Sequence, residues 1–202
     1  MTGMVRKALT IAAGLAVVAS VASAGVPDPR FSVIDAIGVG DNTGIARGGA
    51  PAGFDVAVRD VNNAPVLGAT VTLNFSASGV KGYISQNAGT TVNAAAQSLS
   101  RVATTGSTNF AAKTGKFTNS NTVEVSANGV VLGDVKWRST DIDGVGGITG
   151  LSDFSYFSAR YIGLISAPEC NFDLSVGDVP GLGDFSIFSA EYLSLASGSY
   201  AW

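Results

Sequence analysis

Residues 150–161 read Gly-Leu-Ser-Asp-Phe-Ser-Tyr-Phe-Ser-Ala-Arg-Tyr, and residues 181–192 read Gly-Leu-Gly-Asp-Phe-Ser-Ile-Phe-Ser-Ala-Glu-Tyr. This is one phrase, repeated 31 positions apart. In each copy two Phe and a Tyr fall at i, i+3 and i+7, as Phe154, Phe157 and Tyr161, then Phe185, Phe188 and Tyr192. That spacing sets each trio on one face of a helix. Asp153 and Asp184 stand just ahead of the rings, where a carboxylate accepts the free backbone N–H groups of a first turn. Leu151 and Leu182 are placed to fold down onto the same core. The repeat therefore predicts two helices of about three turns each, burying their aromatic stripes against one another.

A loop rich in Gly and Asp precedes each helix. From Asp141 the first reads Asp-Ile-Asp-Gly-Val-Gly-Gly-Ile-Thr-Gly-Leu-Ser-Asp, and from Asp173 the second reads Asp-Leu-Ser-Val-Gly-Asp-Val-Pro-Gly-Leu-Gly-Asp. Calcium loops draw side-chain oxygens from positions one, three and five, a backbone carbonyl from seven and a carboxylate from twelve, with Gly at six. The second loop has the required length, with Asp173 at one, Ser175 at three, Val179 at seven and Asp184 at twelve, but Gly177 at five and Asp178 at six depart from the pattern. The first keeps Asp141, Asp143 and a Gly at 146, carries Val145 at five, and has one extra residue that moves its last Asp to 153.

Upstream, the pattern has period two. Phe54, Val56 and Val58 alternate with Asp55, Ala57 and Arg59, and Val71, Leu73 and Phe75 alternate with Thr70, Thr72 and Asn74. Such alternation marks strands with one face on a core. Asp60-Val61-Asn62-Asn63-Ala64-Pro65 separates them as a turn. Val123, Val125 and Ala127 lead into Asn128-Gly129, a two-residue hairpin signal, and Val130, Leu132 and Val135 lead on to Trp137. Residues 90–104 carry little hydrophobic amplitude and are read either as an edge strand pair or as a loose connection. Several short strands without an amphipathic helix make this a β-sandwich.

The stretch from Phe54 to Leu73 resembles the repeat of bacterial immunoglobulin-like domains of the invasin and adhesin kind, in which a strand ending in Asp, an Asn/Pro turn, Gly-Ala and a Val-Thr-Leu strand follow in order. The resemblance implies an extracellular rod, spacer or binding face. The fold name assigns no ligand.

Composition narrows the function. Arg6 and Lys7, the apolar run from Ala8 to Val21 and Ala22-Ser23-Ala24 read as a signal peptide over 1–24, so export to the outside or surface of a prokaryotic cell is expected. No later segment is long and apolar enough to suggest a membrane span. Cys170 is the only cysteine, which rules out a disulfide within the chain and suits an apolar lining residue beside Phe172. With no histidine, the usual general base and the usual zinc ligand are missing, and the chain is read as non-catalytic. From Ser139 onward eight acids face Arg160 alone, a balance that disfavours nucleic acid and suits a cation-loaded module.

The duplicated loop–helix, with its approach Arg138-Ser-Thr-Asp-Ile-Asp-Gly and its two Gly-Leu-x-Asp-Phe-Ser-x-Phe runs, looks like a dockerin, a calcium-binding module that docks onto cohesin domains. The likeness spans about 139–193 and implies a small all-α module after an immunoglobulin-like β-sandwich, divided as 25–137 and 138–202. Carried over position by position, it implies calcium ligands Asp141, Asp143 and Asp153 in the first loop and Asp173, Ser175 and Asp184 in the second. Each loop lacks the family's fifth-position carboxylate, so one or two weakly held ions are expected. The docking faces implied are Ser155, Ser158 and Arg160 in one copy and Ser186, Ser189 and Glu191 in the other, with a cohesin-like domain as partner. Two other readings stand beside it: a stand-alone surface or matrix protein with a vestigial calcium module, and a β domain that binds surface glycan through aromatics such as Tyr83. Trp137 and Trp202, which flank the module, are candidates to clasp across its ends.

Overall fold

The computed structural model describes residues 25–36, 43–46, 52–80, 84–116, 122–145, 149–165, 170–172 and 180–192. The expected signal peptide, Tyr83, Asp173, Ser175 and Trp202 lie outside them. The described residues are mainly β, with ten strands in two sheets followed by two short helices. The strands are β1 (Val33–Ala36), β2 (Thr43–Ala46), β3 (Ala52–Ala57), β4 (Ala69–Asn74), β5 (Ile84–Gln86), β6 (Thr91–Asn93), β7 (Ser98–Ala103), β8 (Ser107–Thr114), β9 (Thr122–Ala127) and β10 (Val130–Ser139). The helices are α1 (Leu151–Tyr161) and α2 (Leu182–Glu191). Among the described residues no helix is long and apolar enough to cross a membrane.

One sheet runs β1-β3-β8-β5 and the other β2-β10-β9-β4-β7-β6. Neighbours pair antiparallel except β2 and β10, which run parallel. The alternation read from the sequence sets what lies inside: Val56, Val58, Val71, Leu73, Phe75, Val123, Val125 and Val135 are all fully buried in one core that both sheets share. Trp137 is in that core too, its ring edge-on to Phe75 with centroids 5.5 Å apart. The expected clasp between Trp137 and Trp202 involves a residue outside the described ones.

Turn chemistry follows the residues. Asp60 Oδ1 accepts the Asn62 and Ala64 N–H groups, each at 2.9 Å, and Asn63 sits at φ +61°, which an Asn adopts more readily than most residues. Asn128 (φ +48°) and Gly129 (φ +81°) form the β9–β10 hairpin. Past it the register slips between Val131 and Gly133. That bulge explains why the inward phase changes from the even positions 130 and 132 to the odd positions 135 and 137.

The stretch read as an edge strand pair or a loose connection is the strand pair, β6 at the sheet edge joined to β7 by a turn over 94–97. Beyond it β8 is an interior strand between β3 and β5. Its inward residues are Thr108, Phe110, Ala112 and Thr114, all buried, so one aromatic among small side chains lines that face.

Candidate metal centre

β10 ends at Ser139, two residues past the boundary expected from sequence, and only Thr140 separates it from Asp141. Residues 139–142 are all buried. A second, smaller core begins at Ile142 and comprises Phe157, Cys170, Phe172 and Phe188. Cys170, the single cysteine of the chain, is buried in this cluster.

The two helices meet through a ring stack with internal symmetry. Phe157 and Phe188, which occupy the same place in the two copies, lie parallel with centroids 4.5 Å apart. Around them the contacts come in matched pairs. Phe154 to Phe188 is 6.3 Å and Phe185 to Phe157 is 6.4 Å, while Phe157 to Tyr161 is 5.9 Å and Phe188 to Tyr192 is 6.0 Å. The duplication in sequence is thus an approximate two-fold in space. Phe172 stacks on both central rings.

Leu151 and Leu182 do not join this core as expected, and are 69% and 78% exposed. Each stands six residues before the central Phe, about 240° round the helix from it. The acids that follow turn inward instead. Asp153 and Asp184 are the third residues of their helices, with Gly150 and Gly181 as N-caps, and their carboxylates reach back rather than cap directly. Asp153 Oδ2 accepts the Gly150 N–H at 2.8 Å, and Asp184 Oδ2 accepts the Gly181 N–H at 2.7 Å. The other oxygen of each pins the preceding loop. Asp153 Oδ1 takes the N–H groups of Ile142 (2.6 Å) and Asp143 (2.9 Å), and Asp184 Oδ1 takes that of Phe172.

This correspondence sets the register of the two loops. Ile142 and Phe172 play one role, so Asn171 is the counterpart of Asp141, and Asp173 that of Asp143. The sequence reading had matched Asp173 to Asp141. The pattern polar–apolar–Asp, in Asp141-Ile142-Asp143 and Asn171-Phe172-Asp173, carries the signal for the revised register. It was hidden because the second loop is one residue longer.

In the first loop, Asp141, Asp143 and Asp153 each offer a carboxylate oxygen, and these atoms lie within 4.8 Å of one another. Asp141 Oδ1 accepts the Gly144 N–H at 2.8 Å and the Val145 N–H at 3.2 Å. Asp143 is exposed, accepting the Val145 N–H at 2.8 Å and the Ser152 hydroxyl. Asp141 is fully buried, yet its Oδ2 has no hydrogen-bond partner. Burial pushes its carboxyl up to about 8, and the neighbouring charge of Asp153 adds to the push. Asp153 is raised as well, by burial first, with its backbone N–H donors pulling the other way. A buried acid with a bare oxygen, beside two more carboxylates, fits a hard cation: every donor is oxygen, and a positive charge would offset both the burial and the repulsion. In the second loop the described ligand candidate is Asp184, fully buried.

The expected docking faces are placed unevenly. Ser155, Ser186 and Ser189 are exposed and Ser158 is half-buried, with the Ser155 and Ser189 hydroxyls donating to the carbonyls of Leu151 and Ser186. Arg160 and Glu191 are corrected: they are only 9% and 4% exposed. Each lies three residues after a central Phe, on the buried side of its helix. Arg160 Nη1 donates to the Ile165 carbonyl at 3.1 Å. One surface feature went unread in the sequence, an apolar hollow of about 140 Å³ lined by Phe154, Phe157, Ser158, Tyr161, Ile162 and Phe185. The stripes that the periodicity assigns to the core are thus half open, with Phe154, Tyr161 and Phe185 each more than a third exposed.

No family model matches the chain, and no curated protein or solved structure shows significant similarity to it.

Proposed function

We propose that this is a non-catalytic exported protein in which an immunoglobulin-like β-sandwich carries a dockerin-like, calcium-binding helix pair for protein–protein assembly. The observation that carries the reading is the convergence of Asp141, Asp143 and Asp153 around the bare buried oxygen of Asp141. Calcium, held by those three side chains, would supply charge that the loop lacks and fix the entry to α1. Lacking a fifth-position carboxylate, the site belongs to the weak end of calcium loops, with a Kd of roughly 10⁻⁵–10⁻³ M. The exposed serines of the two helices, Ser155, Ser186 and Ser189, are the surface offered to a cohesin-like partner.

The test is capture of a cohesin-like domain by the intact chain, with calcium and with chelator. Capture that needs calcium and is lost in Asp141→Asn supports the reading. Capture indifferent to both contradicts it. The alternative of a stand-alone surface protein draws on one observation, the bracing of the second loop by Arg138, whose Nε donates to the Asn171 carbonyl at 3.2 Å.

A further inference from the structure

The ion loop is joined to the β unit in a way that a tethered module would not require. Linkers between independent domains are exposed and make few contacts across them. Here, from Trp137 to Ile142, Arg138 is half-buried and every other residue is buried. Successive side chains anchor in different places. Trp137 fills the β core. Arg138 reaches the second loop at the Asn171 carbonyl. The Ser139 hydroxyl donates to the carbonyl of Thr114, at the end of β8 in the opposite sheet, and accepts the N–H of Asp141 at 3.2 Å. The Thr140 hydroxyl lies 2.7 Å from that of Thr149, at the far end of the first loop, and both residues are fully buried. Thr149 in turn bridges to Tyr192 just past α2. The backbone of Asp141 is therefore held by a hydroxyl that itself hangs on the other sheet.

We propose that cation binding at Asp141, Asp143 and Asp153 is energetically coupled to the β unit through Ser139 and Arg138, so that the ion locks the helix pair onto the β sheets in one fixed orientation. This rests on the calcium reading above and adds its regulation. The Asp141 backbone is placed only while β10 and β8 hold Ser139, so unfolding of the β unit dismantles the site. By linkage, the ion then stabilises the β unit. A partner docked on the helices is presented rigidly when calcium is present.

Trp137 makes this measurable, because its indole reports the β core rather than the ion loop. In the full chain carrying Trp202→Phe, thermal unfolding is followed by Trp137 fluorescence, in chelator and in calcium. Calorimetric calcium titration of the same protein runs beside it. The expected result is a rise of roughly 5–10 °C in the Trp137 transition at calcium about a hundredfold above Kd. In Arg138→Gln the calcium heat persists and in Ser139→Ala it persists with weaker affinity, while in both the rise, compared at the same multiple of each protein's own Kd, shrinks. Should those variants fail to fold, hydrogen exchange of the unmodified chain replaces them, with calcium slowing exchange over 122–139. Calcium heat with an unmoved Trp137 transition, or with exchange over 122–139 unchanged, overturns the coupling and leaves the ion site standing. Variants that keep the full rise overturn the route through these two residues. Absence of both heat and shift overturns the calcium reading, and the coupling with it.

Discussion

Asp141 concentrates the chemistry of the first loop. Its carboxyl ionises in the folded chain at about 8 against an ordinary value of 3.8, with burial as the main cause. A folded-state value above the unfolded one means that the folded chain holds a proton that the unfolded chain releases. The associated stability is therefore complete below about pH 4 and is lost as pH rises to 8. Without metal, the melting temperature should fall across that window, and Asp141→Asn should flatten the fall by removing the titration. Melts at pH 5 and pH 8.5, with chelator present, test this; equal slopes in parent and variant would refute it. A cation needs the ionised form, so calcium uptake at neutral pH should release protons, and affinity should climb as pH approaches 8. Potentiometric titration reads that release directly. Asp153 has a second duty. Three backbone N–H groups, from Ile142, Asp143 and Gly150, end on its carboxylate. Asp153→Ala orphans them at a cost of about 2–4 kcal/mol even without metal, which chemical denaturation in chelator would register.

At the scale of elements, the paired helices depend on two rings. Phe157 and Phe188 are each 1% exposed and stacked on each other. Truncating either to Ala should cost about 3–5 kcal/mol, and the two losses should be far from additive because the rings share one contact. A double-mutant cycle on unfolding free energy checks this. How far the sequence shows these elements depends on contrast. Large rings at helical spacing among serines declare α1 and α2, and Val-rich alternation declares β3, β4 and β9. β8 stays hidden because Thr108, Ala112 and Thr114 do the work of core residues without hydrophobic amplitude. The bulge at Gly133 also has no composition of its own; only the phase change between Leu132 and Val135 betrays it. In the candidate site, Asp141, Asp143 and Asp153 were readable because they stand at the first, third and terminal positions of a calcium-type loop ahead of a helix. The register of the second loop was not, since it depends on which backbone N–H the Asp184 carboxylate reaches. The inward turn of Arg160 and Glu191 was also missed, because charge suggests solvent while their helical positions place them beside buried rings.

Across the whole molecule, two cores of unequal size meet at one buried strand end. The β core draws on both sheets and needs no ion to explain it. Among the described residues the second core holds Ile142, Phe157, Cys170, Phe172 and Phe188, and it adjoins the loop of the candidate metal centre through Ile142. The seam from Trp137 to Ile142 ties this module to the β unit, and on the proposed reading a cation at Asp141, Asp143 and Asp153 would strengthen that tie. Function is then expected to follow ion occupancy, with the serine faces ordered for docking only when the loop is charged. The central claim is that the first loop is a calcium site made by Asp141, Asp143 and Asp153. Isothermal titration of calcium into metal-free intact chain tests it most directly. The account predicts saturable heat with a Kd of roughly 10⁻⁵–10⁻³ M, abolished or weakened at least tenfold in Asp141→Asn. No heat in the parent, or heat unchanged in the variant, would contradict it.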